Sequence, residues 1–142
     1  MVSTDTQPAF ALTDRYGAPL ADFYYLPAGE ILYVHWHGNL TADEVIRAVS
    51  VGSKAMASYR YTRILNDKRN TSGDWSEALP WLEYEWLPLA VARGIRALAY
   101  LLSPDLESQV VSQEFMEAVS QHVHTGLFLH EEPARLWLLE QY

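Results

Sequence analysis

Ile31 to His37 reads ILYVHWH, and both faces of this run are apolar or aromatic. As a strand it places Leu32, Val34 and Trp36 on one side and Ile31, Tyr33, His35 and His37 on the other. A strand with no polar side belongs in the middle of a sheet, or in a sheet whose second face is also covered. The rest of the chain has to supply that cover.

The flanking residues predict how. Leu20 to Leu26 is a second aromatic-rich run, and the four turn-prone residues Pro27 to Glu30 join the two as an antiparallel hairpin. Ala9 to Thr13 is a short candidate strand, followed by a turn through Gly17 and Pro19; Met1 to Pro8 is polar and expected to fray. After Gly38 and Asn39, Thr41 and Glu44 have the spacing of a capping box, in which hydroxyl and carboxylate satisfy each other's orphan amides. Val45, Val49, Gly52 and Met56 then recur at helical spacing, predicting a helix from Ala42 to about Ala57.

Tyr61 to Leu65 is a third strand, Ile95 to Leu102 a fourth and Gly126 to Leu129 a fifth. Ser103 and Pro104 look like an N-cap with proline at the first helical position. The helix they open is marked by Leu106, Val110, Val111, Phe115, Ala118 and Val119, with a break near Ser112. A last helix begins at His130 and is expected to dock through Leu136 and Leu139, with Trp137 and Leu138 alongside. Strands alternating with helices predict a single α/β domain spanning 1–142. Its sheet has about five strands, an antiparallel N-terminal hairpin followed by parallel crossovers, with four helices.

Leu65 to Trp86, LNDKRNTSGDWSEALPWLEYEW, is the densest stretch. Asn66 to Gly73 reads as a polar loop, and Asp74 with Glu77 as a second capping box. The helix that follows has two apolar faces. Trp75, Leu79, Leu82, Trp86 and Leu89 share one; Trp81, Tyr84, Pro88 and Val91 share the opposite one. Pro80 and Pro88 must kink or split it. One helix cannot turn both faces to one sheet, so the second is a candidate interface for a protein partner or for a second copy of the chain.

Composition removes whole classes of function. A net charge of −8 repels phosphate backbones and anionic lipid surfaces, arguing against nucleic acid and membrane partners. The absence of cysteine excludes thiol nucleophiles, disulfides and thiolate metal sites. The N-terminus lacks a basic segment followed by an apolar run, and no run reaches membrane-spanning length, so a cytoplasmic protein without membrane insertion is expected. No serine-nucleophile elbow, phosphate-binding loop or dinucleotide fingerprint is present, and Gly52-Ser53-Lys54 lacks the leading glycine of a phosphate loop. Glu83 with Glu85, and Glu131 with Glu132, do not converge on one helix face. A non-enzymatic protein without a cofactor is therefore expected.

Three segments carry a resemblance: ILYVHWHGNLTADEV (Ile31–Val45), ILNDKRNTSGDWSEALPWLEYEWLP (Ile64–Pro88) and FLHEEPARLWLL (Phe128–Leu139). Over Leu20 to Leu139 the chain resembles the STAS-domain superfamily of anti-sigma-factor antagonists, and most closely the small bacterial STAS/SEC14-like proteins of unknown role. The resemblance implies a mixed sheet with helices mainly on one side, and regulation through protein–protein contact. It also implies two alternatives, carriage of an apolar small molecule or lipid and a phospho-switch. In the antagonists an Asp-x-Ser-Gly segment follows the third strand and its serine is phosphorylated. Here Asp67 follows that strand, and Ser72-Gly73 comes later in a longer segment.

Asp67, Ser72 and Gly73 are accordingly the candidate phosphorylation or anion-binding loop, with Lys68 and Arg69 adding positive charge. His35 and His37 project from one strand face and are weak candidates for a metal, since no carboxylate or third histidine lies near them in sequence.

Overall fold

The computed structural model describes residues 7–141, so the expected frayed tail lies mostly outside the described residues. β1 (Phe10–Thr13), β2 (Pro19–Leu26), β3 (Ile31–Asn39), β4 (Arg63–Ser72), β5 (Ala97–Leu101) and β6 (His124–Phe128) form one six-stranded sheet in sequence order. β1–β2 and β2–β3 pair antiparallel, and every later pair is parallel. The sheet has six strands rather than about five because Phe10–Thr13 pairs fully with β2. β3 is interior, as its two apolar sides require.

The helices are α1 (Ala42–Ala55), α2 (Leu79–Trp81), α3 (Leu87–Arg93), α4 (Leu106–Val119) and α5 (Glu131–Leu139). A 3-10 turn (Ser76–Ala78) leads into α2, and a π turn (Leu82–Trp86) links α2 to α3. Ser76 to Arg93 is therefore one helical segment of changing pitch, giving four helical segments among the described residues.

Each parallel crossover moves one strand further in the same direction. Right-handed crossovers then return over the same face every time. The main core shows this: Leu32, Val34 and Trp36 of β3 pack with residues of α1, of the Ser76–Arg93 segment and of α4. On the other face Ile31, Tyr33, Leu65, Ala99 and Leu101 meet only α5, through Ala134 and Leu138.

Several local expectations change. Thr41 Oγ1 accepts from the Glu44 amide at 3.3 Å, but the Glu44 carboxylate turns to Arg47 (3.0 Å), so only half of the first capping box forms. The expected second box does not form. Asp74 Oδ1 accepts from Ser76 N at 2.9 Å, an Asx turn that opens a 3-10 turn. Asp105, not Ser103, caps α4; Ser103 is buried, and its hydroxyl donates to the Thr71 carbonyl at 2.6 Å. α4 runs unbroken through a buried Ser112. α5 docks through Ala134 and Leu138, while Leu136 and Leu139 are exposed.

The expected helix phase after Trp75 holds as far as Leu82 and then slips. Leu89, placed with the core by periodicity, is 73% exposed, while Leu87 and Ala90 are buried. The cause is the π turn, whose i→i+5 bonding inserts one residue and rotates everything beyond it. Pro80 and Pro88 lie at the starts of α2 and α3, where a missing N–H costs least. Gly94 closes α3 in the left-handed conformation, φ 108°.

Gly52 brings α1 onto the sheet. A Cβ there would lie 2.2 Å from Phe23 Cζ, inside the buried core. Gly52→Ala should lower stability by about 1–3 kcal/mol despite alanine's better helix propensity. Urea unfolding checks this, and a variant as stable as wild type would contradict the packing.

Candidate functional site

The polar stretch read as a loop from Asn66 is the continuation of β4, which runs to Ser72. Its pairing with β3 jumps from His35↔Asp67 to His37↔Asn70, so Trp36 alone faces both Lys68 and Arg69. This bulge lies beyond the last β4–β5 pair, Asp67↔Leu101, at the carboxyl end of the parallel strands. Strand alternation then separates the charges. Lys68 follows Ile64 and Asn66 onto the helix-covered face; Asp67 and Arg69 go to the other.

Lys68 is 1% exposed. Its Nζ lies 3.6 Å from the ring centre of Trp75, 4.8 Å from Trp36 and 5.4 Å from Tyr100. Among the described residues it has neither a hydrogen-bond acceptor nor a carboxylate. Burial holds its amine well below the ordinary lysine value. These rings and Lys68 line a partly open cavity of about 50 Å³, measured at the centres of water-sized spheres. Ser53, Tyr61, Ile64 and Trp86 line both this cavity and a neighbouring groove of about 220 Å³ beside α3, measured the same way. Arg93 stands at that groove, its guanidinium 4.1 Å from the Tyr61 ring centre.

The cavity's polar groups are mostly donors. Trp75 Nε1 is buried without an acceptor. Asn66 Oδ1 accepts from Trp36 Nε1 at 2.9 Å, which leaves the Asn66 amide nitrogen as its free end. Among the described residues no aspartate or glutamate lines the cavity. Burial also pushes the Tyr100 phenol up, so it stays protonated.

The opposite face carries a row of satisfied polar groups. Burial alone raises the Asp67 carboxyl, but hydrogen bonds from Arg69 (2.8 and 3.0 Å) and Tyr33 (2.6 Å) outweigh it and hold the group below the usual range. His37 Nε2 lies 2.9 Å from Asp22 Oδ2, and His35 Nε2 lies 3.2 Å from the Asn70 amide. Asp22, His35 and His37 offer donor atoms all within 4.8 Å of one another, the one such group among the described residues. Two imidazoles and a carboxylate are a donor set that suits a divalent metal. Asp22 is the carboxylate missing near the histidines in sequence; the Asp22↔His35 register brings it across from β2.

The other candidates are dispersed. Tyr84 (72% exposed), Pro88 and Val91 lie at the surface, whereas Trp81 is half-buried against the core. Ser72 is exposed at the end of β4, not at a helix N-terminus, and its hydroxyl donates to Asn39 Oδ1 at 3.2 Å. The Gly73 amide already donates to Asp105 Oδ2 at 2.9 Å. Lys68 as a cavity residue was missed. The available signal was the alternation Ile64, Asn66, Lys68, which continues the strand through residues read as loop.

The strand order and the three-to-one division of helices between faces define a mixed α/β sandwich of the STAS type. No family model matches the chain, and no curated protein matches it. Among solved structures it is similar to an uncharacterized protein of the DUF3478 family with a SpoIIAA-like fold from Shewanella loihica. The two share 14% identity over 97% of this chain and 99% of that one, with a TM-score of 0.53. The fold is SpoIIAA-like, that of the anti-sigma-factor antagonists. No helix among the described residues is long and apolar enough to cross a membrane.

Two measurements test the polar face. Tyr33→Phe removes a hydrogen bond to a buried carboxylate and should cost about 1–3 kcal/mol in urea unfolding. His35 is held below its ordinary 6.5, chiefly by burial. The unfolded chain therefore takes up this proton first, and stability falls as pH drops from about 7 to about 5. His35→Gln should flatten that slope; an unchanged slope would remove His35 as its source.

Proposed function

We propose that the protein is a non-enzymatic binding module whose ligand is a small apolar molecule held in the Lys68 cavity. The observation that carries this is a fully buried lysine with no anion, packed against three aromatic rings in the lining of a cavity. Burying an ammonium costs several kcal/mol, and an apolar side chain of similar volume fills such a space at lower cost. A chain selected for stability alone has no use for this arrangement. Lys68 itself lies beyond the last β4–β5 pair, near the carboxyl ends of the parallel strands, where α/β sheets usually place ligands. Among the described residues no carboxylate or histidine lines the cavity to serve the Lys68 amine as acid or base, which favours binding over catalysis.

Titration with toluene and with indole, followed by the tryptophan indole N–H signals in NMR, tests the reading. Shifts should appear at Trp36, Trp75 and Trp86; no shift with either probe at millimolar concentration would overturn it. Lys68→Met should raise stability by about 1–4 kcal/mol in urea unfolding, because the uncompensated ammonium disappears while the volume is kept.

A second reading is protein contact, with self-association as one form. It is favoured by the exposure of Tyr84 (72%) and Leu89 (73%) on one helical segment, beside Pro88 and Val91. Tyr84→Asp is the clean probe, since Trp81 packs on the core and its removal would cost stability as well. Sedimentation should show wild-type self-association that Tyr84→Asp abolishes without lowering the melting temperature. A wild-type monomer at all concentrations would remove self-association.

A further inference from the structure

We infer that the ligand of the Lys68 cavity is a compact monocarboxylate, with its carboxylate against Lys68 and its apolar body toward Tyr61 and Trp86, where the cavity adjoins the neighbouring groove. This rests on the reading of the cavity as a ligand site and adds the chemistry of the ligand's polar end.

The argument is one of complementarity. Lys68 Nζ, Trp75 Nε1 and the Asn66 amide nitrogen are donors without acceptors among the described residues, and they belong to one cavity lining. A carboxylate supplies two acceptor oxygens and the missing counter-charge together. Competing chemistries fit less well. An aromatic box commonly takes a cationic ligand, but the place of the cation in this box is already filled by the protein's own amine. A neutral hydrocarbon would leave every donor unmet. A dicarboxylate would bury a second charge where no second cation lines the wall. The space at Lys68, about 50 Å³, is roughly a third of the ~150 Å³ that encloses a benzene ring, so it takes the carboxylate, and a body on the order of a single ring extends into the adjoining groove of about 220 Å³.

Pairing has a proton consequence. Burial disfavours the charged amine in the free protein, and a bound carboxylate restores it. Binding therefore takes up a proton where the free amine is neutral. There the affinity falls as pH rises, by up to about tenfold per pH unit.

Calorimetric titration of the full chain with benzoate, benzyl alcohol and benzylamine decides the matter, using wild type and Lys68→Met. Benzoate should bind at least about tenfold more tightly than benzyl alcohol, and benzylamine should not bind. Lys68→Met should lose that preference while still binding benzyl alcohol. Benzoate titrations above neutral pH, in two buffers of different ionisation enthalpy, should show proton uptake. If Lys68→Met does not fold, the wild-type ligand ranking and proton uptake decide alone. Benzyl alcohol binding as tightly as benzoate, or benzoate binding without proton uptake, overturns the monocarboxylate and leaves the cavity reading intact. Failure of all three probes to bind overturns both.

Discussion

Every parallel step in the sheet goes the same way, and the usual crossover hand then decides which face is covered. Three helical segments fall on one side, and the opposite side is left to α5. The asymmetry explains β3, whose two apolar sides both have cover, but unequal cover. Ile31 and Tyr33 lie under α5, while His35 and His37, further along the same side, are only partly buried and meet Asp22 and Asn70. It also explains how one strand serves two environments. Asp67 and Lys68 are adjacent in sequence and are passed by the pleat to opposite faces.

Their treatment differs. Asp67 meets a guanidinium and a phenol, so its charge is compensated at short range. Lys68 meets ring faces, each worth about 0.5–2 kcal/mol to a cation, against a desolvation cost of several kcal/mol. The first arrangement closes on itself and stiffens the sheet. The second remains open, and an open charge inside a protein is a reason to look for what completes it.

Much of the architecture was legible because it depends on local patterns. An aromatic-rich run marked β2, strand alternation marked β3, and helical spacing marked α1. The resemblance to STAS domains agreed with the fold. What escaped was set by tertiary context. The polar composition of Asn66–Ser72 looks like a loop, yet neighbouring strands and a bulge keep it extended. The Leu89 position failed because one extra residue in the π turn carries no compositional mark. Asp22 could not be linked to His35 without the register of the hairpin. Lys68 was seen as charge for a loop, since nothing local says that a lysine will be buried under three rings.

The π turn has one further consequence. An α-helix carrying one residue too many is what a single-residue insertion leaves when the rest of the helix keeps its place. Leu82 and Trp86, its first and last residues, both line the Lys68 cavity. The slip in the helix and the hollow beneath it thus share one wall. Taking that residue out again would turn Trp86 by about 100° around the helix axis, away from the mouth it now borders. The size of the cavity is in this sense written in the length of the chain as much as in the choice of its side chains.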